Sequence, residues 1–516
     1  MRTSASTTSY LELLRLASPE AIVVISALVV LTIGLMSRRA TAVAGVSPAT
    51  SPPTSPWVTT AAPGWCSLAA GLGVVIAIAA VLMLPRNSIL FSGMLVITPL
   101  TSLFKIICLG LAFFTVCLAR SEKSLRHPGE YLALILLATV GLMLLVGSEE
   151  LLTIFIGLEL LGLTLYVMAA FDRTDRHSAE AGLKYFLFGS TSSAFTLFGI
   201  SLIYGMSRST SLAAIANNLE AAPVQPLLAT GIIMTLIGFA FKIAAAPFHL
   251  WAPDAYQGAP IPSAAFIASG SKVASFVVLG KIVLVGFGPV HGNAGWHAMV
   301  AGWSALLAVL ASLSIVIGNL VALAQTNVRR LLAYSAVAHA GYTLLGLVAG
   351  SRDGFSATLF YATVYAITLV GAFGVVGVVR SQTGGDDLKN FSGLVERAPL
   401  LAGCMAVFML SLAGIPPLAG FFGKFFLFSA TLRAGGNYGL LWLVALALFG
   451  SFVSLYYYLI VLKAIFVEEP ALATASSADR SPPDLLQRIT VTVLAAAILF
   501  LGLLPDTLVA RILAAL

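Results

Sequence analysis

The chain has 516 residues, 59% of them hydrophobic and only 9% charged, with a mean hydropathy of +0.99. A water-soluble domain carries about 25% charged residues, so this composition excludes a soluble globular protein and makes lipid the solvent. The net charge of +7 then belongs to short loops, where Lys and Arg orient helices, and not to a nucleic-acid surface.

A helix that spans the hydrocarbon needs about 20 apolar residues. Runs of that kind predict an all-α integral membrane protein of fourteen helices, at 19–36, 66–84, 98–119, 130–147, 150–171, 181–205, 227–250, 263–286, 300–323, 330–350, 355–379, 398–430, 438–466 and 487–503. The first run reads as a retained helix, because its basic pair, Arg38 and Arg39, follows the apolar stretch instead of preceding it. Residues 40–64 are rich in Pro, Ser and Thr and predict a flexible loop, as do residues 468–485. The organisation expected is a three-helix segment over 1–129, a five-helix unit over 130–286, a second over 300–466 and a final helix within 487–516. Loops after odd-numbered helices hold fifteen Lys and Arg, among them Arg329 and Arg330, against seven on the other side. The richer side is expected to be cytoplasmic, which places both termini in the periplasm. Cys66, Cys108, Cys117 and Cys404 lie scattered in apolar stretches, without the clustered spacing of an iron–sulfur or zinc site. No redox centre or metal is expected on this chain.

Four charged residues stand inside apolar helices, where each costs at least about 2.5–3.5 kcal/mol. They are Glu159 in the fifth helix, Lys242 in the seventh, Lys272 in the eighth and Lys424 in the twelfth. One carboxylate cannot neutralise three ammoniums, so a static ion pair does not account for the set, and intramembrane ionisable groups mark ion pathways. Pro247 lacks an N–H and crowds the carbonyl of Ile243, beside Lys242; Pro416 and Pro417 do the same for Leu412 and Ala413, ahead of Lys424. Broken helices in two corresponding places are the usual pointer to a transport site. The seventh and twelfth helices are five apart and so cross in opposite directions, as two inverted five-helix repeats (helices 4–8 and 9–13) require. Taking an ammonium out of water disfavours its charge and a neighbouring carboxylate restores it, so a Lys242 paired with Glu159 holds its proton and releases it when the carboxylate leaves. Lys272 is expected to pass the proton inward, with His339 bridging to Lys424. His339 read alone is a hydrogen-bonded packing residue, and His249, beside Trp251, reads equally as a support for proton entry and as an interfacial anchor. Lys184 forms an i,i+4 pair with Glu180 at a helix start and offers a cytoplasmic entry. Lys105 and Lys281 are expected to snorkel, and Glu149 and Glu150 to open the fifth helix at the positive end of its dipole.

The segments FIGLELLGLTLYVMAAF, SAEAGLKYFLFGSTSSAFTLFGISLIYG, FKIAAAPFHLWAPDAYQGAPIPSAAFIASGSKVASF, NLVALAQTNVRRLLAYSAVAHAGYTLLG and SLAGIPPLAGFFGKFFLFSA, in this order, cover about residues 130–465. They resemble the antiporter-like membrane subunits of bacterial NADH:quinone oxidoreductase (respiratory complex I), and most closely the N-type. The resemblance implies discontinuous seventh and twelfth helices and a proton channel formed by Glu159, Lys242, Lys272 and Lys424. It implies that FMN, iron–sulfur clusters and quinone sit on other subunits. It also implies partners in the M-, L-, K- and J-type membrane subunits and, through them, the hydrophilic NADH-oxidising arm, all in the bacterial inner membrane. A lysine at the twelfth-helix position fits the N-type, since the M-type usually has glutamate, and the long lateral helix of the L-type is not found. Two other readings stand beside it: a subunit of a multi-subunit Mrp-type sodium/proton antiporter, and a membrane scaffold whose charges only hold helices together.

Overall fold

The structure is a computed structural model that describes residues 10–43, 56–122, 124–221, 225–434, 436–469 and 484–516. Apart from a short hairpin, β1 (Ser88–Leu90) against β2 (Leu95–Ile97) with Ser88 opposite Ile97, its framework is helical. The main helices are α1 (Ser18–Val43), α2 (Pro56–Leu82), α3 (Pro99–Ala119), α4 (Pro128–Gly147), α5 (Leu151–Ala169), α6 (Arg176–Ser207), α7 (Pro226–Lys242), α8 (Trp251–Gly258) and α9 (Ile261–Ala268). They continue with α10 (Gly270–Lys281), α11 (Trp303–Leu323), α12 (Val328–Val348), α13 (Arg352–Thr383), α14 (Pro399–Ala413), α15 (Ala419–Ala434), α16 (Leu441–Phe466), α17 (Leu485–Leu503) and α18 (Asp506–Ala515). Twelve spans among the described residues are long and apolar enough to cross a membrane, α9 and α10 counting as one with the π-helical turn Ile282–Gly286. The predicted seventh helix, 227–250, is helical only to Lys242 in α7, and the chain becomes helical again in α8, just past the predicted end; the predicted twelfth, 398–430, is two shorter pieces, α14 and α15.

Burial sorts these helices. The span of α9–α10 and that of α12 are each 94% buried, whereas the span within α1 is 22% buried, so Lys272 of α10 and His339 of α12 sit at the centre of the bundle. Small residues let neighbours come close: a Cβ on Gly129 of α4 would lie 2.7 Å from Gly34 Cα of α1. In lipid, where apolar surface gains little by moving from tails to protein, such close backbone packing is what joins helices.

The stretch 40–64 is not one loop. Residues 40–43 complete α1, residues 56–64 begin α2, and residues 44–55 lie outside the described residues, as do 470–483 of the second expected loop. Pro56 is tolerated because the first turn of a helix leaves its N–H groups unpaired in any case.

Both interruptions follow from backbone chemistry. After Lys242 the chain passes through Ala244 in the left-handed region (φ 58°) to Pro247, and it becomes helical again at Trp251. The break is held by side chains, with Ala246 N–H donating to Ser314 Oγ at 2.8 Å and Trp251 Nε1 to Phe241 O at 3.1 Å. The α14 helix ends on Gly414 with φ 86°, a left-handed cap, and Pro416 and Pro417 follow before α15 resumes. A Cβ on Gly414 would also sit 2.9 Å from Lys424 Cδ. Gly414→Ala is therefore expected to cost about 1–2 kcal/mol from the backbone alone and to push Lys424 off its partners, read as a lowered thermal midpoint together with slower proton movement.

A candidate proton line through the bundle

At one edge of the bundle, Lys184 near the start of α6 lies 2.6 Å from Glu180 Oε1 and donates to Asp254 Oδ2 of α8 at 2.6 Å. Asp254 Oδ1 accepts from Arg330 of α12 at 2.7 Å, and Arg330 also reaches Gln257 Oε1 at 2.9 Å. Glu180, Asp254, Gln257 and Arg330, with His177, line a cavity of about 190 Å3. The expected Lys184–Glu180 pair is present, but it is one part of an ion network that ties α6, α8 and α12 together. In the sequence Arg330 counts only as an orienting loop charge and Asp254 is not singled out; the available signal was an acid seven residues beyond the helix-breaking Pro247.

Lys242 ends α7 with its Nζ 6.0 Å from the Tyr166 ring centroid and 5.9 Å from that of Tyr185, a cation–π setting. The expected direct pairing with Glu159 is not made: no ion pair joins the two among the described residues. Instead both line a cavity of about 20 Å3 together with Ser192, Ser193 and Thr196, and the Ser193 hydroxyl donates to Glu159 Oε1. That volume holds one water, which needs two to four polar partners, and the lining supplies them. Glu159 is half-buried, with Ile156 and Leu163 of the same helix exposed around it. His249 is buried with its ring 6.4 Å from that of Tyr334, so the break draws it into the protein and it is not an interfacial anchor.

Deeper in, Lys242, Lys272, His339 and Lys424 are each between 2% and 5% exposed. The bend at Ser269 between α9 and α10 sets Lys272, three residues on, facing α12. Its Nζ donates to Ala336 O at 2.8 Å and lies 5.4 Å from the Tyr365 ring centroid. The Tyr365 ring is 4.9 Å from that of His339. Both His339 nitrogens are engaged, Nδ1 with Tyr361 OH at 2.7 Å and Nε2 with Tyr458 OH at 2.9 Å, and Tyr458 also bonds Ser335. One tyrosine must donate and the other accept when the ring is neutral, so a proton that arrives on one nitrogen can leave from the other. Beyond His339, the Tyr342 ring lies 5.6 Å away and 5.3 Å from Lys424 Nζ. Lys424 donates to Ala413 O at 2.9 Å and Ser451 Oγ at 2.8 Å. Ala413 O is a carbonyl that Pro417 deprives of its helical partner, so the broken helix supplies the acceptor that its own lysine uses. Tyr342 OH accepts from Asn319 Nδ2 at 2.8 Å, and Tyr457 OH donates to Asn319 Oδ1 at 3.0 Å. The tyrosines that connect the charges were missed, because a tyrosine inside an apolar helix reads as core.

Lys105 and Lys281 do not snorkel. Both are buried, Lys105 2.6 Å from Glu20 Oε1 and Lys281 donating to Val146 O at 2.9 Å with Glu149 Oε1 at 3.7 Å. A carboxylate for Lys105 and the carbonyl-rich end of α4, negative by its dipole, for Lys281 hold them inside the protein. Glu150 caps α5 as expected, accepting from Leu152 N–H at 3.1 Å and Thr153 N–H at 2.7 Å. All four cysteines are free and buried.

Residues 148–454 match the transmembrane family described as NADH:quinone oxidoreductase/Mrp antiporter. A curated relative, NADH-quinone oxidoreductase subunit N 2 of Acidobacterium capsulatum, is 45% identical over 97% of this chain and 98% of its own length. Among solved structures, a chain of respiratory complex I from Thermus thermophilus with bound Aureothin is 34% identical, with a TM-score of 0.73 over 95% of this chain and 98% of that one. A chain of the Mrp complex from Dietzia sp. DQ12-45-1b shares the fold at 22% identity, with a TM-score of 0.76 over 97% of each chain. The chain therefore belongs to the NADH:quinone oxidoreductase/Mrp antiporter family of membrane proteins, among the N-type antiporter-like subunits.

Proposed function

We propose that this chain is a proton-translocating membrane subunit of an NADH:quinone oxidoreductase, driven by quinone reduction elsewhere in that complex. The observation that carries this reading is the row of buried bases: Lys272 on a carbonyl of α12, His339 between two tyrosines and Lys424 on the carbonyl freed by the α14 break. A buried ammonium with no carboxylate beside it is costly if it only holds helices together, whereas one that takes up and gives away a proton spends part of its time neutral. Protons enter at the Lys184–Asp254–Arg330 network, load Lys242 under the influence of Glu159, and pass through Lys272, His339 and Lys424. Pro247, Pro416 and Pro417 make the breaks that this route uses. The two interrupted pairs, α7 with α8 and α14 with α15, bring the crossings to fourteen in two inverted five-helix repeats, with both termini in the periplasm. Flavin, iron–sulfur clusters and quinone belong to other subunits, with M-, L-, K- and J-type chains as neighbours in the inner membrane.

Lys242→Ala tests this reading against the Mrp-type alternative. Membranes carrying it are expected to lose most NADH-driven acidification while the cells keep normal sodium tolerance. Intact NADH-driven pumping with lost sodium/proton exchange would reverse the assignment. A scaffold predicts a third result, normal pumping by whatever complex assembles.

A further inference from the structure

A second group of buried charges lies off this line. Lys281 ends α10 and donates to Val146 O, with Glu149 Oε1 3.7 Å away. On the next residue of α4, Gly147, a Cβ would meet Lys105 Nζ at 3.2 Å. The two ammoniums therefore flank one turn of the α4 end, and Glu20 of α1 lies 2.6 Å from Lys105. Glu150, the other carboxylate nearby, is committed to capping α5. The four remaining groups behave differently in pairs. Lys105 and Glu20 are in contact and enclosed, a fixed pair. Lys281 and Glu149 stand beyond hydrogen-bond distance, and the Glu149 side chain is 38% exposed, so this pair joins the interior to the surface. Lys281 is nine residues from Lys272 on the same helix, roughly 13 Å along its axis, and the α10 helix loosens into a π-helical turn directly after it, a feature frequent at functional sites. This end is opposite the Lys184 network: Glu149 precedes α5, whereas the start of α6 is tied to the far end of α5 by Ser178 Oγ on Ala169 O at 2.8 Å.

Resting on the pumping reading above, we propose that Lys281 and Glu149 form a proton-release port for the first half of this chain, opening on the side of the membrane where α5 begins. The Lys281 ammonium gives its proton to the Glu149 carboxylate, the resulting carboxylic acid passes it to bulk water, and the neutral amine is recharged from Lys272 through water entering the α4–α10 seam, as a branch of the route that otherwise continues to His339 and Lys424. Leu142 packs in that seam, where a Cβ on Gly270 would come within 3.0 Å of Leu142 Cδ1.

The test compares Lys281→Arg, Glu149→Gln and Lys272→Arg in the intact complex in proteoliposomes, reading proton movement at saturating NADH against the content of assembled complex. Arginine keeps the charge and a donor for Val146 O but does not give up its proton, so a purely structural lysine tolerates it. Lys281→Arg and Glu149→Gln are each expected to lower proton movement by the share that leaves through the first half, while the remainder still passes through His339 and Lys424. Normal pumping by Lys281→Arg with impaired Lys272→Arg overturns the port alone; normal pumping by both overturns the pumping reading beneath it. Should Lys281→Arg fail to assemble, Glu149→Gln at the surface decides, and normal pumping there overturns the port.

Discussion

Lys272→Met is expected to lower NADH-driven proton pumping about ten-fold or more while leaving the amount of assembled complex close to that of the unaltered protein. Methionine matches the length of the lysine stem and packs in irregular apolar space, so the volume between α10 and α12 stays filled. What is lost is the ammonium on Ala336 O and over the Tyr365 ring. Removing an uncompensated buried charge does not weaken the fold; in energetic terms it relieves a desolvation cost. Stability and activity are therefore expected to move in opposite directions, with thermal inactivation of the complex unchanged or raised as pumping falls. A lysine that served only as packing glue would show the reverse.

Asp386→Ala is expected to have the largest effect on stability. The Arg329 guanidinium is 1% exposed, donates through Nε to Tyr256 O at 2.8 Å and also to Ala259 O, and has Asp386 Oδ2 at 3.3 Å as counter-charge. The same carboxylate accepts from Arg380 at 2.8 Å. Arg329 thus clamps the end of α8, which carries Asp254 of the Lys184–Asp254–Arg330 network, onto the start of α12. Taking away the carboxylate leaves a buried guanidinium unpaired, at a cost of about 3–5 kcal/mol, and is read as a sharp fall in assembled complex and in its thermal midpoint. The adjacent Lys389–Asp387 pair is a built-in comparison: at 77% and 46% exposure it contributes below about 1 kcal/mol, and Lys389→Ala is expected to change neither quantity measurably.

The parts of this architecture that were legible in the sequence are those where one residue contradicts its surroundings. Glu159, Lys242, Lys272 and Lys424 stand out because a charge in an apolar run is an anomaly that local composition cannot absorb, and Pro247, Pro416 and Pro417 stand out because proline removes a donor wherever it falls. The carbonyl that Lys424 uses, Ala413 O, followed from the same argument. What stayed hidden depends on partners distant in the chain. Lys105 and Lys281 near helix ends look like snorkelling lysines until Glu20 and the α4 terminus are placed beside them. Asp254 and Arg330, 76 residues apart, form one network only through the packing of α8 on α12. The indirect relation of Glu159 to Lys242 is decided by side-chain reach across α5, α6 and α7, which charge and burial alone do not determine. The tyrosines around His339 carry no sequence anomaly, since an aromatic ring suits an apolar helix and only its hydroxyl partner reveals a polar role.

A buried lysine that carries protons differs from one that carries only charge in whether its proton can leave. The most direct measurement is the number of protons moved per NADH oxidised by proteoliposomes holding the complex with Lys272→Arg, in which the positive charge remains but the proton is retained. A number well below that of the unaltered complex is predicted. An equal number at equal rate would contradict the account.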